Sequence, residues 1–388
     1  MKIAVLFDAN LNNRKGLFNA VINRTKYLIS IPDCEVDVYS LQARPAGLNK
    51  LVKRQQEHIF KDILDIDGIK VHIIWYKRYL LDDILTSHHH NSSFLFMMWA
   101  KRILSTFSPY DIITAHSARC GEVARLASRR FNVPFFVTWH GTDIHTSPFL
   151  SKSFMGFTTE ILRSANLNFF VSEALRDKAL SIVPCIKSEI LYNGISDGFI
   201  KYDDHKRNIV RLQYGVDKCK TIAFVGNLVP IKNVCVLPEI FQIIKRNYQG
   251  NLSFWIVGDG FLRKQLECEM ESRKICCHFL GNRPSSEMPD IMNCIDVLIL
   301  PSVNEGLPLV TIEAISCGAN VVGSCVGGIP EVIGMSNAFD LDSEFVTNIS
   351  NRILYMLTNN VVQTVSERFN WNLTAIKEQN IYNNTLSI

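Results

Sequence analysis

Val297-Leu298-Ile299-Leu300 is an unbroken apolar run bounded by Asp296 and Pro301, the pattern of a parallel strand covered on both faces. A polar loop, Ser302 to Leu307, follows it. Pro308 suits the first position of a helix, where its missing N–H costs nothing, and Gly318 suits the stop, so a helix is predicted from Pro308 to Cys317. Asn320 to Val322 then reads as a second strand. Glu305 falls in the loop and Glu313 inside the helix, with seven residues between them. A loop at the C-terminal end of a parallel strand, feeding a helix N-terminus, offers N–H groups and the positive end of a dipole to an anion. Carboxylates beside phosphate would repel it, so the two glutamates read better as acceptors for sugar hydroxyls. A molecule carrying both hydroxyls and phosphate is a nucleotide sugar. The plainer alternative leaves Glu305 in a surface turn and Glu313 solvated on its helix.

Glu305, the spacing to Glu313, Gly318 and the run Gly327-Gly328-Ile329-Pro330-Glu331 together resemble the retaining family-4 glycosyltransferases of the type that builds bacterial surface polysaccharides. The resemblance implies an α/β fold of GT-B architecture, two Rossmann-like domains whose parallel sheets face across a cleft. It also implies that Glu305 lies against the transferred sugar and Glu313 holds the ribose, while Gly306, Leu307, Pro308 and Leu309 meet sugar and phosphate. A UDP- or GDP-linked donor and no metal or other cofactor are expected on the same ground.

At 388 residues, the chain is long enough for two domains with a core in each. Its 47% hydrophobic and 20% charged residues are those of a globular protein. Eleven cysteines without a CxxC pair suit a reducing cytoplasm. The opening residues turn polar too early for a signal segment, and no apolar run approaches a membrane span. Residues 1–200 carry 24 Lys and Arg against 18 Asp and Glu, whereas residues 201–388 carry 17 against 19. That surplus is too small for nucleic acid but suits a first domain facing an anionic acceptor or membrane surface, or arises by chance.

Lys2 to Phe7 is the first predicted strand, with a helix from about Gly16 to Ser30. The intervening loop lacks G-x-G-x-x-G, which disfavours a nicotinamide or flavin cofactor. Gly16 alone, beside Arg14 and Lys15, stands where the resembled family often has a glycine pair near the donor phosphate. Further strands are predicted at Glu35 to Ser40, Lys70 to Trp75, Asp111 to Ala115, Val133 to Thr138, Asn168 to Ser172 and Glu189 to Tyr192, with Leu51 to Leu64 helical. Phe94 to Arg102, aromatic and cationic, reads as a core helix with a basic end or as a lipid-facing one. His88-His89-His90 is adjacent rather than at ligand spacing.

Trp139-His140-Gly141 follows a strand, at the crevice position where open α/β sheets place ligands. His140 there could donate to a sugar hydroxyl, and the resembled family has a histidine in this context against the donor sugar. His116 and Asp143 are weaker candidates for orienting it. The polar stretch Tyr202 to Arg207 is read as the crossing to the second domain. Strands at Thr221 to Val225, Ser253 to Val257 and His278 to Gly281 follow. In Gly226-Asn227-Leu228-Val229-Pro230-Ile231-Lys232, Lys232 matches the cation with which the family grips the diphosphate, and Asn227 replaces the family's arginine by an amide. Arg283 lies where the family holds the base. Asp65-Ile66-Asp67 and Asp340-Leu341-Asp342 read as turn and loop rather than metal motifs.

Domain boundaries are therefore expected at 1–200, with a closing helix at 370–388 packing back on it, and 201–369. The catalytic residues expected are Glu305, His140 and Lys232; the donor-binding ones are Gly16, Asn227, Lys232, Arg283, Gly306, Leu307, Pro308, Leu309 and Glu313. The expected activity is retaining transfer from a nucleotide sugar to a saccharide acceptor, lipid-linked, in O-antigen, capsule or exopolysaccharide synthesis, with peripheral contact to the inner face of the plasma membrane and no nucleic acid. A nucleotide-sugar epimerase, a phosphorylase and a non-catalytic partner subunit are the alternatives.

Overall fold

A computed structural model describes residues 1–9, 11, 16–45, 62–78 and 109–387, in two compact units: residues 1–193 with 370–388, and residues 194–369. In the first unit, eight strands lie in the order β3-β4-β2-β1-β5-β6-β7-β8. These are β1 (Lys2–Phe7), β2 (Glu35–Pro45), β3 (Ile63–Ile66), β4 (Ile69–Arg78), β5 (Ile112–His116), β6 (Phe135–Trp139), β7 (Leu167–Phe170) and β8 (Ser188–Ile190). All pair in parallel except β3 with β4. The helices Leu17–Ile29, Ala118–Phe131, Lys152–Ser164 and Glu173–Ile182 connect them, and Trp371–Leu386 joins the same unit.

The central strands β1, β5 and β6 are almost entirely buried, because helices cover both faces of a parallel sheet. Each large aliphatic or aromatic side chain so removed from water contributes about 1.5–3 kcal/mol. Phe136, Phe169 and Tyr382 form one aromatic cluster; Phe136 stacks on Phe169 at 5.7 Å and meets Tyr382 at 4.6 Å, tying the helix Trp371–Leu386 to the sheet.

The second unit has six strands in the order β11-β10-β9-β12-β13-β14: β9 (Lys220–Val225), β10 (Leu252–Val257), β11 (Cys277–Gly281), β12 (Val297–Leu300), β13 (Asn320–Ser324) and β14 (Ala338–Phe339). Every pairing is parallel. Two apolar layers, one around Phe241, Phe254 and Ile299 and the other around Trp255, Leu298 and Ile315, sandwich this sheet. In β12 the side chains of Leu298 and Ile299 alternate between the two layers, which is why the strand is apolar without interruption.

Both sheets reverse their winding once. From β1 the chain builds outward through β2, then returns to the other side of β1 with β5; from β9 it builds out through β10 and β11, then returns beside β9 with β12. Polar side chains at the C-terminal ends of strands flanking such a reversal face a crevice rather than a neighbouring crossover. The four loops concerned follow β1, β5, β9 and β12.

The structure corrects several sequence expectations. Ile63 and Leu64 belong to an antiparallel edge strand rather than to a helix from Leu51, whose residues 51–61 lie outside the described ones. Asp204–Gln213, the second part of what reads as a polar crossing, is a helix capped by Asp203, whose carboxylate accepts from Lys206 N at 2.8 Å. Its buried Arg211 ties it to the unit through Cys294 O, Val216 O and Asp296. Pro308 caps the helix Leu309–Ser316 instead of occupying its first turn. The stretches Phe94 to Arg102 and His88 to His90, with Arg14 and Lys15, lie outside the described residues.

Candidate functional site

In the second unit, the loops after β9 and β12 meet at the winding reversal. Lys232 Nζ stands 2.5 Å from Glu305 Oε1, and Ser302 Oγ donates to the same oxygen at 2.7 Å. Both ends of the ion pair are only partly exposed, 24% for the lysine side chain and 12% for the glutamate, so water screens the attraction weakly. Backbone contacts clamp the loops: Val303 N donates to Ile231 O at 2.9 Å, and Ser324 Oγ donates to Ser302 O.

The turn after β13 closes over the glutamate. Gly328 N donates to Gly306 O at 2.9 Å, and a Cβ on Gly327 would stand 1.8 Å from Glu305 O. With φ at +51°, Gly327 is required by conformation as well as by space. On the other flank, a Cβ on Gly258 would meet Gly226 O at 2.0 Å, so the turns after β9 and β10 touch through backbone alone.

The helix Leu309–Ser316 begins with no side chain capping its N-terminus, leaving that positive end to the loop crevice. Gly306, Leu307 and Pro308 are buried, and Leu309 opens the helix. Glu313 sits deep enough on this helix that burial alone pushes its carboxyl up to about 7. Asn227 directly follows Gly226, whose φ is 157°. Arg283, past β11, is held by Glu287 at 3.5 Å on an exposed turn. The structure thus brings Lys232 and Glu305 into contact, with the neighbouring Gly306 held by Gly328, and places Glu313 further along the adjoining helix.

The first unit presents a second polar cluster at its own reversal. His116 ends β5 and is 2% exposed; its Nδ1 lies 3.0 Å from His140 Nε2, one residue past β6. Burial first, then the Arg24 charge, pushes His140 down to about 3, and the same causes lower His116. Asp143 accepts from Gly141 N at 3.1 Å, and burial raises its carboxyl to about 6. Asp8, just past β1, is likewise raised by burial against the pull of Arg119 and a hydrogen bond from Ser117. Ser117 itself has φ 104° and ψ 160°, a region costing a non-glycine residue about 1–3 kcal/mol. Gly16 caps the helix Leu17–Ile29 at φ 46°.

Ser302, Asp8 and Arg24 were not singled out by sequence. Asp8 directly follows β1 and Ser302 stands two residues past β12, so both could have been found from that position; Arg24 sits mid-helix among polar residues and carries no local signal. Asp65 accepts from Gly68 N at 3.0 Å in the β3–β4 hairpin, and Asp342 accepts from Glu344 N at 2.9 Å, so each triplet shapes a turn. Among the described residues no three His, Cys, Asp or Glu side chains gather as a metal-binding group.

Two parallel-sheet α/β units, each with polar groups at its winding reversal, are the fold of the GT-B glycosyltransferases. Residues 27–199 match Glycosyltransferase Family 4 and residues 207–375 match Glycosyl transferases group 1, so the chain carries a domain of each. A crystal structure of Anabaena Alr3699/HepE in complex with UDP and glucose superposes with a TM-score of 0.72 at 19% identity over 100% of both chains. The putative teichuronic acid biosynthesis glycosyltransferase TuaC of Bacillus subtilis is 27% identical over 58% of this chain and 55% of its own length. The UDP-Gal:alpha-D-GlcNAc-diphosphoundecaprenol alpha-1,3-galactosyltransferase of Escherichia coli is 30% identical over 56% of this chain and 59% of its own length. The chain thus spans between half and two thirds of these two relatives.

Proposed function

We propose that the protein is a retaining glycosyltransferase that moves a sugar from a nucleotide-sugar donor to a lipid-linked saccharide during surface-polysaccharide synthesis. The observation that carries this reading is the Lys232–Glu305 contact at the winding reversal, beside an uncapped helix N-terminus. A cation, a row of amides and a carboxylate within one loop crevice suit a ligand with a diphosphate at one end and hydroxyls at the other.

In the proposed mechanism, the diphosphate takes over Lys232 and the helix N-terminus, and Glu305 is released to accept from sugar hydroxyls. Glu313 accepts from the ribose, Arg283 stands at the base end, and Gly16 and His140 serve the donor phosphate and sugar from the first unit. The bond from the anomeric carbon to the diphosphate breaks as the acceptor oxygen attacks the same face. The leaving phosphate oxygen takes the acceptor's proton, and Lys232 with the helix dipole stabilises the remaining charge without a metal. The names of the relatives support a UDP-linked donor and a diphosphoundecaprenol-type acceptor.

Peripheral contact with the inner leaflet is part of the proposal. Phe149 and Leu150 are 52% and 49% exposed, beside Lys152, with Lys178 Nζ 4.5 Å from the Phe149 ring. An aromatic and aliphatic pair rimmed by cations suits an anionic lipid interface. Among the described residues no helix is long and apolar enough to cross a membrane.

Transfer from a panel of UDP- and GDP-sugars to a diphosphoundecaprenol-linked sugar, with the anomeric configuration of the product read by NMR, tests the reading. Product with the donor's configuration, lost in Glu305→Ala, is expected. Full transfer by Glu305→Ala overturns it.

A further inference from the structure

The first unit contains a buried ion pair that the donor chemistry does not use. Arg24, on the helix Leu17–Ile29, is 3% exposed, and its Nε donates to Glu378 Oε2 at 2.6 Å. Glu378, 1% exposed, comes from the helix Trp371–Leu386, and Tyr382 on the next turn donates its hydroxyl to the other carboxylate oxygen. A second guanidinium nitrogen, Nη1, donates to Thr138 Oγ1 at 2.9 Å, two residues before His140. The third, Nη2, is buried with no hydrogen-bond partner. Apolar residues of similar volume usually serve a fold as well as such a pair, so stability alone does not account for it.

What the pair does control is the charge beside two histidines. Ring nitrogens 3.0 Å apart need one donor and one acceptor, and a proton on both would set two N–H groups face to face. The groups near His140 are His116 on β5, Arg24 and Asp143 in the following turn; Asp8 past β1, with Arg119 beside it, acts on Asp143. Arg24 is the charge that opposes a second proton on the pair, while Asp143, raised to about 6, loses its own charge as pH falls. Thr138 fixes where that opposing charge stands, and Glu378 compensates it on the side away from Thr138.

We infer that Arg24 and Glu378 are positioning residues for His140, holding the His116–His140 pair in the neutral, singly hydrogen-bonded form in which one ring donates and the other accepts. The closing helix is thereby a working part of the first unit rather than packing alone. The catalytic meaning rests on the proposed role of His140 at the donor sugar; the control over the histidine pair does not.

Histidine-selective 15N NMR on the full chain without substrate, between pH 4.5 and 8, reads the pair directly. The wild-type His140 resonance is expected to stay that of neutral imidazole throughout. In Arg24→Met, imidazolium is expected to appear as pH falls. Burial, the larger cause, still opposes the charged ring there, so the midpoint rises from about 3 but stays below the ordinary range, and kcat falls in proportion to the imidazolium formed at each pH with donor KM little changed. The double variant Arg24→Met/Glu378→Met leaves no unpaired buried charge and is expected to keep the wild-type melting temperature while still losing kcat at the pH where imidazolium appears. An unchanged titration in Arg24→Met, or full kcat at that pH in the double variant, overturns the inference. Full transfer by His140→Ala with the Arg24→Met shift intact overturns the catalytic role of His140, not the control Arg24 exerts over the pair.

Discussion

The two winding reversals solve opposite electrostatic problems. In the second unit, Lys232 and Glu305 face each other as an ion pair across 2.5 Å. In the first, His116 and His140 are kept neutral by burial and by the Arg24 charge. A paired lysine can exchange its partner for a diphosphate at little cost, because one anion replaces another. A neutral imidazole can accept or donate a hydrogen bond to a hydroxyl without attracting phosphate. On the proposed mechanism, charge is concentrated where a charged group would depart and withheld where only hydroxyls would be held.

The strongest way to break this contrast is to remove the cation. Lys232→Met is expected to lower kcat for transfer by about 10²–10³-fold, as for loss of one preorganised group facing a developing charge. Nucleoside diphosphate affinity measured by calorimetry should fall with it, while a matching His140→Asn variant should bind the same diphosphate as wild type. Unchanged diphosphate affinity in Lys232→Met would remove the division of labour.

Next in size is Gly327→Ala. The added methyl would overlap Glu305 O in a backbone conformation disfavoured for alanine, and about 2–3 kcal/mol of stability should be lost. Thermal melting with and without nucleoside diphosphate checks both the fold and the glutamate's position.

The pH response sharpens the comparison, since the two units carry opposite signs. Glu313 is raised to about 7, so between its ordinary range near 4.5 and 7 the folded state holds the extra proton, and stability falls as pH rises through that window. His140 is depressed to about 3, so between 6.5 and 3 the unfolded state holds the extra proton, and stability falls as pH drops through it. Asp143, raised to about 6, offsets part of the histidine effect. Hydrogen exchange resolved by unit, from pH 7 to 5, should show protection rising around Glu313 and falling around His140. Glu313→Gln should flatten the first trend by about 1–2 kcal/mol and leave the second unchanged. A like trend in both units would overturn these signs.

The smallest expected effect is Asp65→Ala. Losing one turn hydrogen bond should cost under about 1 kcal/mol and leave transfer unaltered with or without added divalent cation.

Much of this arrangement was legible because parallel strands buried on both faces cannot hide their apolar runs; β9, β10 and β12 stand out for that reason. The places of Glu305 and Lys232 in the loops after β12 and β9, and of Glu313 on the following helix, were legible because each is counted off from one of those strand ends. The edge strand Ile63–Ile66 was not, since four residues with only Ile66 fully buried carry almost no pattern. Asp204–Gln213 was misread because nearly all of its side chains face water, and only Val210 and Arg211 are buried. No local rule links Arg24 to Glu378, which are 354 positions apart.

That separation sets an order of events during synthesis. Residues 194–369 form a continuous segment and have all their own partners once the last of them leaves the ribosome. The first unit, begun earlier, must wait for Trp371–Leu386; at about 5–20 residues per second, Arg24 stays without its counter-ion for roughly 20–70 s. The half of the molecule made first is therefore the half finished last, and a nascent chain stalled before Glu378 exposes an unfilled aromatic groove to the chaperones that meet it.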